Sequence, residues 1–169
     1  MNNNRIIQLP ESDNKKEIKT KEKCKRIIVE DPIWNFTENE LEYQTIFLED
    51  PPKLLIQQIK KKLASYKSQD LEKDLYDPIH FIDLSNTLQK LNSCSLKCFY
   101  CDIQVLLMYE YVREPKQWTL ERLNNNYGHT IENTVIACLS CNLRRRTMHF
   151  DRYLQTKQMT HIIKKDEHL

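Results

Sequence analysis

Two pairs of cysteines constrain this chain more than any other feature. Cys98 and Cys101 form one C-x2-C pair, and Cys138 and Cys141 form a second. In a chain without secretory features, two such pairs fit a four-thiolate zinc site better than disulfides. The start, MNNNRIIQLPESDNKKE, lacks the apolar block of a signal peptide, so a reducing intracellular setting, cytoplasm or nucleus, is expected. The ion would tie together two distant ends of a small unit. Cys94 is a spare thiol four residues before Cys98, left out of the ligand set because the C-x2-C pairs have the better-precedented geometry. Cys24 stands alone and reads as a bystander.

At 169 residues the chain is one domain, or a small domain with an extension. Hydrophobic residues make up 40% and charged ones 30%, which permits a modest core and argues against wholesale disorder. Gly128 is the single glycine, which excludes a P-loop, a dinucleotide-binding fingerprint and Gly-rich linkers. It falls in the turn cluster Asn124-Asn125-Asn126-Tyr127-Gly128, where a positive φ is expected. No apolar run approaches the length that spans a bilayer, so no membrane partner is expected.

The chain is expected to comprise a basic, disordered tail over 1–27, a mainly helical extension over 28–93, a zinc-binding domain over 94–160 and a short tail over 161–169. The first tail carries a net charge of +4, and residues 27–52 hold seven acids and no Lys or Arg. Trp34, Phe36, Tyr43 and Phe47 in that acidic stretch suggest a segment that packs down on something. After Pro51-Pro52, Leu55, Ile56, Ile59, Leu63 and Tyr66 recur at helical steps, with Lys60, Lys61 and Lys62 opposite as a solvated face. A phosphate contact is the less favoured reading of that triplet. A second helix is expected from Asp77-Pro78 to about Asn92, with Ile79, Ile82, Leu88 and Leu91 on its apolar side and His80 as a surface or cap residue. The stretch IQVLLMYEYV reads equally as a strand or a short helix. Trp118 to Leu123 alternates in the strand manner, Thr134 to Ala137 is a returning strand, and helix spacing resumes from Asn142 through Met148, Tyr153 and Met159.

This order of knuckle, strand, long loop, strand, knuckle and helix resembles the HNH endonucleases, ββα-metal nucleases built on a treble-clef zinc scaffold. The resemblance covers roughly 98–150, under a third of the chain, and implies an α+β fold with a C-terminal ββα-metal unit. It rests on T-L-E-R-L in the first strand, G-x-x-x-E-N before the second, and C-x2-C-N followed by basic residues. By position, the resemblance implies Glu121 as an acid on a catalytic Mg²⁺ or Mn²⁺, Asn142 as a second ligand of that ion, and Asn133 as the loop residue that orients the base. Where the family places its histidine base, this chain has Arg122, which keeps its proton at ordinary pH and can only hold phosphate or stabilise charge. A subset of HNH-like sequences, many resembling those of phages and large DNA viruses, has the same form. His129, the one histidine between the strands, is a candidate replacement base, although a polar loop residue is the plainer reading.

Charge supplies a separate line. From Asn142 to Lys165 the basic residues are Arg144, Arg145, Arg146, Arg152, Lys157, Lys164 and Lys165, against Asp151 alone. The net of +6 beside the second knuckle suits a phosphate backbone, and arginine forks match phosphate geometry. Arg144, Arg145, Arg146 and Arg152 are therefore the expected nucleic-acid contacts, while His149 reads as a surface residue. Two functions follow: a metal-dependent HNH-type endonuclease acting on DNA, or a zinc-stabilised nucleic-acid-binding module that has lost cleavage.

Overall fold

The computed structural model describes residues 48–159. The expected basic tail, most of the acidic aromatic segment, Cys24, Lys164 and Lys165 lie outside the described residues. Among the described residues the architecture is mixed: four helices and a two-stranded antiparallel sheet. The helices are α1 (Lys53–Glu72), α2 (Leu84–Ser93), α3 (Leu139–Arg145) and α4 (Phe150–Met159). The strands are β1 (Trp118–Arg122) and β2 (Thr134–Cys138), in a register that pairs Trp118 with Cys138 and Arg122 with Thr134. No described helix is long and apolar enough to cross a membrane.

Helix α1 begins where the proline pair ends, since proline fixes a backbone that can enter a helix but cannot continue one from within. Its stripe of Leu55, Ile59 and Leu63 joins Trp118, Leu120, Ile136 and the cysteines Cys98, Cys138 and Cys141 in one hydrophobic cluster. The extension and the cysteine unit therefore share a core. The Tyr66 hydroxyl accepts the Leu120 amide at 3.1 Å, fastening α1 to β1. Lys60 and Lys61 are exposed as expected, but Lys62 is not part of a solvated face. Its ammonium lies 4.4 Å from the Trp118 ring centroid and donates to the Trp118 carbonyl.

The second helix starts later than its periodicity suggests. Asp77 accepts the Ile79 and His80 amides in a local turn, and Asp83 caps the helix by accepting the Asn86 amide. A side-chain cap that satisfies an otherwise unpaired helix amide sets the boundary more firmly than apolar spacing does. Residues 80–82 instead run beside the 123–133 loop: Phe81 bridges Thr130, and the Ile82 amide donates to the His129 carbonyl at 2.9 Å. Ile79, expected on the apolar side, is 83% exposed. His80 is a surface residue whose Nδ1 pairs with Asp77.

The IQVLLMYEYV stretch is neither strand nor helix but an irregular segment held by isolated bridges, Lys97 to Gln104 and Leu106 to Gln117. It buries Val105, Leu107, Met108 and Tyr109. Strand β1 is buried up to Glu121 because Trp118 and Leu120 join the cluster that holds the α1 stripe, while Thr119 and Glu121 meet Asn142 and Arg145 of α3. Helical structure after Asn142 is not continuous. Arg146 takes a left-handed φ of 52°, ending α3 before α4 begins, and the intervening turn wraps the Arg145 side chain, whose Nη1 donates to the Met148 carbonyl at 2.6 Å. Of the three expected apolar positions there, Tyr153 is buried, while Met148 and Met159 are exposed.

Gly128 is needed for a reason other than the expected positive φ, which it does not have. A Cβ at this position would collide with the Leu75 carbonyl oxygen and come within 2.9 Å of Asp70 Oδ2. The missing side chain lets the loop press against the end of α1. Gly128→Ala is expected to destabilise the protein by about 1–3 kcal/mol through overpacking. Chemical denaturation checks this, and an unchanged midpoint would show that the contact yields.

Candidate functional site

The four sulfurs of Cys98, Cys101, Cys138 and Cys141 lie within 4.8 Å of one another, with Cys101 and Cys138 Sγ 3.9 Å apart. Tetrahedral Zn–S bonds of about 2.3 Å place sulfurs roughly 3.8 Å apart, so the group is spaced to hold a metal ion such as zinc. Local structure builds both halves. Asp102, at a φ of 55°, closes the first turn by donating its amide to the Cys98 carbonyl. Cys138 ends β2 and caps α3, its sulfur accepting the Cys141 amide at 3.4 Å. The Phe99 amide donates to the Ile136 carbonyl, joining the first turn to β2, and the Cys138 amide donates to Cys98 Sγ at 3.3 Å. Donation from the Cys138 and Cys141 thiols holds the Cys98 thiol well below its usual range. Such a thiolate is what a cation would bind. Cys94, half-buried, is outside this group, as expected.

Beside the sheet lies a cleft of about 260 Å³. Its walls bring together Glu121 and Arg122 from β1, His129 from the loop and Asn142 from α3, four of the five expected catalytic positions. The fifth, Asn133, works from behind. Its Oδ1 accepts the Asn124 amide, and its Nδ2 donates to the Asn124, Tyr127 and Gly128 carbonyls at 2.9, 3.3 and 3.0 Å. Asn133 thus sets the loop backbone that presents His129.

The side chains at the cleft are already engaged with one another. Arg145 is 3% exposed, and its Nε donates to Glu121 Oε1 in a buried ion pair. Its Nη2 donates to the Arg122 carbonyl at 2.6 Å and to Asn125 Oδ1 at 3.0 Å. Burial pushes the Glu121 carboxyl above its ordinary range, and the Arg145 charge pulls it back. Arg145, expected on phosphate, is therefore an internal counter-ion, whereas Arg144, Arg146 and Arg152 are exposed. Asn142 gives its amide nitrogen to Thr119 Oγ1 at 3.2 Å. One carboxylate neutralised by a guanidinium and one amide oxygen are a poor donor set for Mg²⁺ or Mn²⁺, which favour several hard, anionic oxygens. Among the described residues, the four cysteines form the one close group of three or more Cys, His, Asp or Glu side chains. The expected pairing of Glu121 and Asn142 around a catalytic cation does not fit this arrangement.

His129 is a loop residue, as the plainer reading has it, but a buried one: it is 4% exposed, and Asp70 holds it twice. Asp70 Oδ2 accepts the His129 amide at 2.6 Å, and Oδ1 pairs with Nδ1 at 2.8 Å. The Tyr66 ring lies over the imidazole with centroids 4.6 Å apart. Arg122 Nη1 sits 3.8 Å from Asp70 Oδ1 and donates to the Tyr127 carbonyl at 3.2 Å. Asp70, Tyr66 and Lys73 were not among the expected site residues. One signal for Asp70 was present, since it continues the buried stripe of Leu55, Ile59, Leu63 and Tyr66 at the next four-residue step. An acid in line with an apolar stripe needs a buried partner.

No protein-family model, curated protein or solved structure matches the chain.

Proposed function

We propose that this chain is an HNH-type endonuclease, hydrolysing DNA phosphodiester bonds on a treble-clef scaffold held by structural Zn²⁺. The observation that carries the reading is the convergence of Glu121, Arg122, His129 and Asn142 on one cleft beside the four-cysteine group. The sequence resemblance points to the same positions. Lys73 and Arg146 also line the cleft, so its walls favour an anion such as a phosphate. Hydrolysis needs an oriented water, an acceptor for its proton and positive charge at the phosphate. His129 supplies an acceptor. Arg122 supplies charge; its Nη1 donates to the Tyr127 carbonyl and lies 3.8 Å from Asp70 Oδ1, which leaves its other N–H groups for a phosphate.

The buried Glu121–Arg145 pair favours a second reading, a zinc-stabilised nucleic-acid-binding module without cleavage, because it occupies the carboxylate that the family uses for its catalytic cation. A nicking assay on supercoiled plasmid separates the two, run with Mg²⁺, with Mn²⁺ and without added divalent cation. Nicking by the wild type that is abolished in Arg122→Ala supports the endonuclease. Intact plasmid beside salt-sensitive DNA binding supports the module.

Both readings predict the same binding signature. Arg144→Ala, Arg146→Ala and Arg152→Ala should each weaken binding and lower the slope of log K against log salt by about 0.9 for each phosphate no longer neutralised. Titrations by fluorescence anisotropy at several salt concentrations check this, and unchanged slopes in all three variants would remove those arginines from the interface.

A further inference from the structure

We infer that Asp70, on a helix outside the cysteine unit, is a positioning residue that makes His129 the proton acceptor of this site. The inference rests on the hydrolase reading above and adds to it the residue that makes a loop histidine usable where β1 carries Arg122.

Geometry carries the argument. Asp70 is completely buried, and its two carboxylate oxygens take the amide and the Nδ1 of the same residue, at 2.6 and 2.8 Å. A carboxylate at Nδ1 puts the imidazole proton on that nitrogen, leaving the Nε2 lone pair for the cleft that His129 lines. The ring cannot swing freely. Tyr66 covers one face at 4.6 Å and is itself fastened to the Leu120 amide, and the Ile82 amide holds the His129 carbonyl. The bare backbone of Gly128 allows this approach, because a Cβ there would crowd Asp70. Pinning a loop to a helix does not by itself require an ionisable pair, since apolar contacts do so without desolvating charge. A fixed tautomer and a fixed ring are what a general base requires.

In the step itself, a water oxygen forms the new P–O bond with its lone pair while its proton passes to His129 Nε2. The P–O bond to the leaving sugar oxygen breaks, and that oxygen keeps the electron pair and takes a proton from solvent. The charged or titratable groups facing His129 are Asp70, Lys73 and Tyr66 from α1 and Arg122 from β1. Burial pushes the imidazole below its ordinary 6.5, and the Asp70 charge partly opposes this. The base works when neutral, so activity should rise with pH along an acid limb centred below 6.5. Asp70→Asn removes the group that favours the proton, so the limb should move to lower pH while the plateau falls.

The test is the pH–rate profile of plasmid nicking by wild type, His129→Ala and Asp70→Asn, with NMR titration of the His129 imidazole in wild type and Asp70→Asn. His129→Ala should lose about 10²–10⁴-fold in rate, and added imidazole should restore part of it. Asp70→Asn should lose at least about tenfold, within the range of general-base contributions, and shift both the acid limb and the NMR titration downward. A limb and titration that stay in place while the rate falls would show Asp70 to be structural only and overturn the inference. So would a His129→Ala protein that nicks as fast as wild type, although the hydrolase reading would then stand on its other residues. A wild type that binds DNA and nicks nothing overturns the hydrolase reading and this inference together.

Discussion

Removing the metal, or changing Cys138→Ser, is expected to unfold the sheet and the helices that follow it. Cys138 is fully buried, ends β2, caps α3 and belongs to the core cluster shared with α1. Structural zinc contributes an apparent free energy of about 10–16 kcal/mol at neutral pH in small zinc units. A whole domain is stable by only about 5–15 kcal/mol. Loss of the ion therefore exceeds what α1 and its apolar stripe can supply. Circular dichroism during chelation and thermal melting of Cys138→Ser are the measurements. Cys94→Ser is the control: this thiol is outside the metal group and donates to the Leu91 carbonyl, a bond that serine can keep. Its cost should stay near 1 kcal/mol or below, roughly the worth of one hydrogen bond. Cooperative melting retained in the apo protein would sink the claim that metal holds this fold.

Glu121→Ala is expected to cost about 3–5 kcal/mol, because it leaves the Arg145 guanidinium buried without its counter-ion. Arg145→Ala should be comparably harmful, since it strips Glu121, the Arg122 and Met148 carbonyls and Asn125 of a common donor. Replacing both, as in Glu121→Leu with Arg145→Met, should recover most of the loss, because well-packed apolar side chains replace buried pairs at little cost. Denaturant unfolding of the two single variants and the double variant measures the coupling. Additive losses would mean that the pair is not a unit. The result also governs how activity data are read. Cleavage abolished in Glu121→Ala says little about chemistry if the fold is lost with it, so Glu121→Gln is the better probe at this position.

The difference between what was legible and what was not follows separation along the chain. The cysteine pairs could be read because each C-x2-C is a local turn with two ligands on one side, and their union needs only a metal-sized gap. The strands Trp118–Arg122 and Thr134–Cys138 could be read for the same reason, since apolar patterning and the Asn-rich turn cluster ending in Gly128 are local signals. The Asp83 cap, by contrast, competed with an apolar periodicity that ran through it and won. The role of Arg145 is not legible in the sequence, because arginine near a knuckle suits phosphate and a buried carboxylate equally well, and only the contact with Glu121 distinguishes the two.

From the sequence alone came the four-cysteine group, the helix of the extension, the two strands and most of the residues that meet at the cleft. Tertiary structure alone decided that Arg145 faces inward, that Gly128 serves close packing rather than a left-handed turn, and that Asp70 reaches His129 across 59 positions of chain. The physical reason is that spacing encodes which side chains share a turn or a face. A buried ion pair or an oriented imidazole instead depends on how two separately formed elements dock, and no local pattern records that.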